Sequence, residues 1–298
     1  MSTAIAALRS KFSWYDFRQT LIPWVLLMPA MAFLIWLLLG YGVFTAESFH
    51  DWTSSERTIP GFSLVQYVRF FKTPLYYRGF LRSIKIGVIV TILSLLWAYP
   101  LAYHISKSPR SGFFMAITIL PMFLCVLVIT YAWLVLLTPS GLLNTALLRA
   151  GLIKEPIKIL FTERAIIFGL THESVPYLVI PLLISLQKIP RSIEESAEIL
   201  GATGWQKFWR ITFPLSMPGV LSGTTIIYAL AVAAFAAPIL LGGRQVEMIS
   251  VSIERQVGFY INWPFGGAIS VLLAIFVLLF LALYGGFLRS RFLQHLSL

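Results

Sequence analysis

Six runs of apolar residues, each about twenty residues long, occupy positions 21–44, 84–106, 113–137, 164–187, 219–241 and 267–288 of this 298-residue chain. Wound as an α-helix, a run of that length matches the hydrocarbon thickness of a bilayer. Inside a bilayer every backbone amide must be bonded within the protein, so continuous apolar runs fold as helices. The alternating pattern of a membrane barrel, about ten residues per strand, does not occur in the sequence. Composition agrees, with 58% hydrophobic and only 12% charged residues. The expected fold class is all-α, a polytopic membrane protein with six transmembrane helices.

The formal net charge of +11 would suggest a nucleic-acid partner in a soluble protein. Here the Lys and Arg residues are scattered over every connection between apolar runs, which suits membrane lipid headgroups, and no nucleic-acid partner is expected. With six spans, both termini share a side with the connections 107–112 and 188–218. That side carries eleven of the 23 basic residues, so charge alone does not orient the chain. In the longest connection, the aromatic and basic stretch Leu64 to Leu81 suits a course along the membrane surface.

Cys125, inside the third run, is the only cysteine; it reads as a small packing residue and excludes a disulfide framework. Arg9, Lys11 and Arg18 precede the first run as in a signal peptide. That run is too long and lacks a small-residue cleavage site, so a retained span is expected. Residues 1–20, with Phe12, Trp14, Tyr15 and Phe17, suit an interfacial segment, followed by one membrane domain over 21–298.

The connection 188–218 is much longer than a link between two spans requires, and its residues specify structure. Pro190 ends the fourth helix, and Ser192 with Glu195 has the spacing of a capping box. In the short helix that follows, Ile193, Ala197 and Leu200 are expected on one face, with Glu194 and Glu198 stacked on another. Gly201 suits the left-handed residue that stops it. Thr203 with Gln206 is placed to cap a second helix, which Pro214 and Pro218 are expected to break before the fifth span.

Thr171-His172-Glu173-Ser174 lies in the middle of the fourth run. A carboxylate near the bilayer centre costs about 2.5–3.5 kcal/mol on insertion scales, and such residues usually face a bundle interior or a water-filled path. Pro176 and Pro181 loosen the same helix. Glu173 therefore suits either a place beside an ammonium-bearing solute or an ion pair, with His172 or with a partner subunit, that holds the bundle together. Thr171, His172, Tyr177, Tyr228 and Phe235 are further candidates for a substrate path, the aromatics through cation–π contact. Asn144 and His104 read as turn and interface residues. No G-x-x-x-x-G-K-[ST] loop and no G-x-S-x-G elbow are present, and His50, His104, His172 and His295 are too dispersed for zinc, so this chain is expected to catalyse nothing and to bind no cofactor.

Glu195, Ser196, Ala197, Gly201, Ile211 and Pro214 fall at the spacing of the EAA signature, and the chain resembles permease subunits of binding-protein-dependent ABC importers. Ser196 stands where that family usually has Ala, and Phe213 where it usually has Leu. Tyr99-Pro100, Tyr131-Ala132-Trp133, the run Pro139 to Asn144, and Pro214 to Gly219 with Pro238 to Gly243 extend the resemblance to the spermidine/putrescine type. Carriers of iron, thiamine and phosphonates share that subfamily.

The resemblance implies a coupling helix in the loop between the fourth and fifth spans, with Glu194, Glu195, Ala197, Gly201 and Ala202 contacting an ATP-hydrolysing subunit. It also implies two such subunits that carry ATP and Mg, a second and different permease, and an extracytoplasmic binding protein. A bacterial inner-membrane location with both termini cytoplasmic follows from it. The competing classes are a stand-alone carrier with Glu173 and His172 as an ion relay, and a membrane enzyme using His172, Glu173 and Ser174.

Overall fold

The computed structural model describes residues 14–52 and 61–288, and every regular element among them is helical. Twelve helices are used below. On the way into and out of the first three spans come α1 (Trp14–Glu47), α2 (Val65–Lys72), α3 (Pro74–Lys107), α4 (Ser111–Ile119) and α5 (Val126–Leu137). Then follow α6 (Leu142–Arg149), α7 (Glu163–Gln187), α8 (Arg191–Ile199), α9 (Gly204–Leu215), α10 (Met217–Ala233), α11 (Ile249–Glu254) and α12 (Trp263–Leu288). Of the segment 1–20, residues 1–13 lie outside the described residues, and 14–20 continue directly into α1.

Among the described residues five helical stretches are long and apolar enough to span a bilayer, and a sixth crossing is obtained when α9 and α10 are taken together across a 64° bend. The first, second, fourth and sixth runs lie inside α1, α3, α7 and α12. The third run is not one helix. Pro121 opens a 3₁₀ turn, Leu120–Phe123, and Leu124 and Cys125 are extended before α5 begins. Proline lacks the N–H that would continue α4, and the chain leaves helix at Leu124, with φ −86° and ψ 144°. Cys125 lies exposed at this break and is not packed inside this chain. The fifth run also ends early: α10 stops at Ala233, Ala234 is extended, and Pro238–Gly242 forms a wide π turn.

The core is the triangle of α3, α7 and α10. Ile86, Val90, Ala98, Ala102 and Ile105 of α3 are buried against Ile166, Leu178 and Leu182 of α7 and Ile227 and Ala231 of α10. Close approach depends on glycine, because a Cβ on Gly219 would stand 2.6 Å from the Pro181 carbonyl and one on Gly223 only 2.2 Å from a Leu178 methyl. Helix pairs without water between them gain from such small residues. α12 packs beside this triangle and α1 on α12, while α1 leaves its apolar length from Trp24 to Gly42 exposed.

At the ends of α3 the chain is tied by polar contacts. On the face where α3 begins, Glu163 at the start of α7 accepts from Arg82 at 3.1 Å and pairs with Lys85 at 2.5 Å. Arg82 also donates to the Glu247 carbonyl at 3.3 Å, and the Ser83 hydroxyl accepts from the Ile249 amide at 2.9 Å. Asn144 is not in a turn but buried inside α6, from where it ties the segments on either side: its amide donates to the carbonyls of Thr138 and Ile157 and its oxygen accepts from the Ile157 amide.

Candidate functional site

Two places in this frame carry chemistry: the insert between α7 and α10, and a cavity halfway along α7.

The insert begins differently from the capping box read in the sequence. Pro190, with φ −62° and ψ 134°, is itself the N-cap of α8, which places Ser192 inside the first turn, where its carbonyl accepts from Ser196. The fixed φ of proline turns the chain straight into helix, so no side-chain cap forms. Gly201 ends α8 with φ +80°, a conformation that an L side chain adopts only with strain. Thr203 and Gln206 do form the second capping box, at 3.3 Å and 2.9 Å. Pro214 does not break α9. A π turn over Phe208–Thr212 bonds the Phe213 amide to the Phe208 carbonyl and absorbs the N–H that Pro214 lacks, and the chain bends only at Ser216.

Burial on α8 does not follow apolar character. Ala197 is buried, but Ile193 and Leu200 are not, and the inward position is taken by Glu194, only 8% exposed. Its two carboxylate oxygens meet Lys107 at the end of α3 and, at 3.5 Å, the Thr212 hydroxyl of α9. Glu198 faces out and pairs with Lys207. That contact holds the Glu198 carboxyl below its ordinary range and lifts the Lys207 ammonium above its own, in both cases through the hydrogen bond between them. Glu195 and Gly201 are exposed and Ala202 is half-buried. Beyond them Ile199 and Leu200, each 86% exposed, and Trp205, 72% exposed, form a projecting apolar tip.

Beneath the insert, α3 supplies a stripe of residues four apart. Tyr99 shares a 2.8 Å hydrogen bond with Ser216 and packs its ring on Phe208 and Phe213. Tyr103 meets Phe208 edge-on, and Lys107 holds Glu194.

The second place is a cavity of about 310 Å³ between α7 and the end of α10, lined by Glu173, Ser174, Tyr177, Val126, Leu170, Leu230, Ala231 and residues 233–237 around Phe235. Among the described residues Glu173 takes part in none of the ion pairs. Pro176 and Pro181 sit inside the unbroken α7, so the carbonyls of His172 and Tyr177 are left without their helical N–H partners. A carboxylate and two aromatic rings thus share one cavity.

Three of the six path residues read in the sequence, Glu173, Tyr177 and Phe235, meet at this cavity. The other three do not line it. His172 turns away from Glu173 and packs edge-on against Trp133, so the pairing of neighbours considered above is not formed. Tyr228 is 2% exposed and stacks on Phe280 at 4.1 Å. Thr171 is buried, and its hydroxyl, like that of Tyr228, has no hydrogen-bond partner among the described residues. Ser174, part of the Thr171 to Ser174 constellation in the sequence, also lines the cavity, whereas sequence reading missed the Ala-rich wall of Ala231, Ala233, Ala234, Ala236 and Ala237. It also missed Lys107, which the four-residue spacing from Tyr99 and Tyr103 would have revealed.

Comparison with known proteins identifies the family. The family model described as "Binding-protein-dependent transport system inner membrane component" matches residues 91–292. The chain is 35% identical over 225 residues to the spermidine/putrescine transport system permease protein PotB of Escherichia coli, covering 75% of this chain and 82% of that one. It is 34% identical over 213 residues to the protein of the same name from Haemophilus influenzae, covering 71% and 74%. In fold it matches a chain of a bacterial ABC transporter involved in the import of the acidic polysaccharide alginate, with a TM-score of 0.73 over 93% of this chain and 98% of that one, at 21% identity. The chain therefore belongs to the family of binding-protein-dependent transport system inner membrane components, the permease subunits of ABC importers.

Proposed function

We propose that this permease imports a small organic polycation of the spermidine/putrescine kind across a bacterial inner membrane. The observation that carries the substrate class is the carboxylate of Glu173, without an ionic partner among the described residues, in a cavity shared with Tyr177 and Phe235. A solute bearing ammonium groups supplies the charge that this carboxylate lacks, in a setting where solvation by water is scarce. The similarity to the PotB proteins supports the same class. The alginate importer shares only the fold, so the choice of solute rests on side chains within it.

In this reading the insert faces the cytoplasm, as do both termini, and α8 is the coupling helix. The projecting Ile199, Leu200 and Trp205 are apolar surface outside the bundle, and such a tip fits a groove on a soluble ATP-hydrolysing subunit. Glu195 and Gly201 lie at that contact, Ala202 at its edge, and Glu194 and Ala197 support it from beneath. Two ATP-binding subunits carrying ATP and Mg, a second and different permease, and an extracytoplasmic binding protein complete the machine. Nucleotide binding and hydrolysis switch the paired permeases between two packings, so that the cavity is reached first from outside and then from the cytoplasm.

The test is ATP hydrolysis by the reconstituted complex with its binding protein, offered spermidine, putrescine, ferric iron, thiamine or an aminophosphonate in turn. Stimulation by the polyamines is expected. Stimulation by one of the others alone keeps the importer and discards the polyamine.

A further inference from the structure

We propose that Lys107 and Glu194 form the joint through which α8 moves α3, and that α3, more than the covalently attached α7, carries the nucleotide-driven displacement across the membrane. The proposal rests on the reading of α8 as the coupling helix.

A carboxylate as buried as Glu194 is unavailable to a partner subunit, and its own chain satisfies it on both sides, by Lys107 and Thr212. Removing one member of such a pair leaves a buried charge uncompensated, so the pair resists separation. Displacement of α8 therefore has to take Lys107 with it. The covalent route is weaker: Lys188, Ile189 and Pro190 lie between α7 and α8, outside both helices, and they can absorb a rotation by changes in backbone dihedrals.

Lys107 is not an isolated contact. With Tyr99 and Tyr103 it forms one stripe of α3 that grips α8 and α9, on both sides of the single proline inside this helix, Pro100. The stripe fastens α3 where it would otherwise bend most easily. α3 has 34 residues and is about 51 Å long at 1.5 Å per residue. Its other end holds α7 through Arg82 and Glu163, and holds the connection after α10 through the Glu247 carbonyl. One helix thus touches the coupling insert on one membrane face and the loops of the opposite face on the other. That is a physical connection between the two sites, of the kind that coupling requires.

The experiment uses the complete complex with ATPase subunits and loaded binding protein, and reads the ratio of stimulated to basal ATP hydrolysis together with solute uptake per ATP. Lys107→Met and Glu194→Gln are compared with the exchanged pair Lys107→Glu/Glu194→Lys. A coupling free energy of ordinary size predicts that the ratio falls about fivefold or more in the assembled Lys107→Met complex and recovers by about half or more in the exchanged pair. A purely structural pair would lower yield or thermal stability and leave the ratio of the assembled complex unchanged, which would overturn the proposal. If the single variants do not assemble, the exchanged pair decides: a ratio near wild type supports the joint, and an unstimulated or unassembled complex overturns it. Leu200→Asp, run in parallel, reports on docking itself. Loss of the ATPase subunits there is expected, whereas full retention with normal stimulation would overturn the docking reading and the joint with it.

Discussion

Glu173 and Tyr177 stand one helical turn apart on α7 and open onto the same cavity, with Phe235 at the end of α10 among its other walls. The carboxylate supplies charge and the two rings supply faces, which suits an extended cation that slides instead of one that is caged. Replacing Glu173 by Gln keeps the shape and removes the charge. A hydrogen bond to a charged group contributes about 1.5–3 kcal/mol, so polyamine uptake into proteoliposomes is expected to fall roughly 10- to 100-fold. The complex should still assemble and hydrolyse ATP. Uptake at the wild-type rate would remove Glu173 from the path.

Leu200 is 86% exposed beside Gly201, so its change to Asp removes no internal packing. The thermal midpoint of the purified permease is expected to stay within a degree or two, because exposed substitutions rarely exceed about 0.5 kcal/mol. Affinity for the ATPase subunit should fall by about 2 kcal/mol or more, roughly 30-fold, if the residue is an anchor of that interface. Pull-down of the ATPase subunit with the variant gives the answer, and undiminished recovery would place the contact elsewhere.

Two glycines separate strain of the backbone from strain of packing. Gly201 has φ +80° with nothing within 4 Å of an added Cβ, so Gly201→Ala costs about 1–2 kcal/mol through the left-handed conformation alone. Gly219→Ala would push a methyl to 2.6 Å from the Pro181 carbonyl, and the helices cannot separate without disturbing the α7–α10 contact, at roughly 1–3 kcal/mol. Scanning fluorimetry in detergent should show the larger loss for Gly219→Ala, and with it a change in transport. The reverse order would mean that α7 and α10 are loosely packed.

The pair of Glu198 and Lys207 lies on the insert, outside the spanning helices, and sets a pH window. Glu198 titrates below its ordinary value of 4.5, so its contribution is present above 4.5 and is lost as pH falls through the lower folded value. Lys207 titrates above 10.5, so its contribution is present below 10.5 and is lost as pH rises through the higher folded value. At pH 9 Lys207 is therefore more fully protonated than a free lysine, and acetic anhydride should label it slowly. Glu198→Gln is expected to speed that labelling, read by peptide mass spectrometry, and equal rates in the two proteins would show that the pair does not form in solution.

The spans were legible because a twenty-residue apolar run has few ways to satisfy its backbone in lipid. Gly201 and the Thr203–Gln206 box were legible because each depends on local sequence alone. Failures occurred where proline acted in context. Pro121 cut the third span, Pro190 displaced Ser192 as the cap of α8, and Pro214 was accommodated by a π turn instead of ending a helix. Helical periodicity groups Ile193, Ala197 and Leu200 on one face of α8 but does not say which residues are covered: Glu194 and Ala197 are buried, whereas Ile193 and Leu200 are exposed. The cavity was half-legible: a carboxylate in a span stands out, whereas the rotation that sends His172 to Trp133 and Tyr228 to Phe280 depends on tertiary packing.

Lys107 and Glu194 are separated by 87 residues of chain. At synthesis rates of about 5–20 residues per second, roughly 4 to 17 s pass between the emergence of one and that of the other. During that interval Lys107 has no Glu194 to pair with. Glu194 can therefore take up the Lys107 ammonium only after α7 has been made, so a variant that neutralises Lys107 leaves the buried carboxylate without this partner in the finished chain.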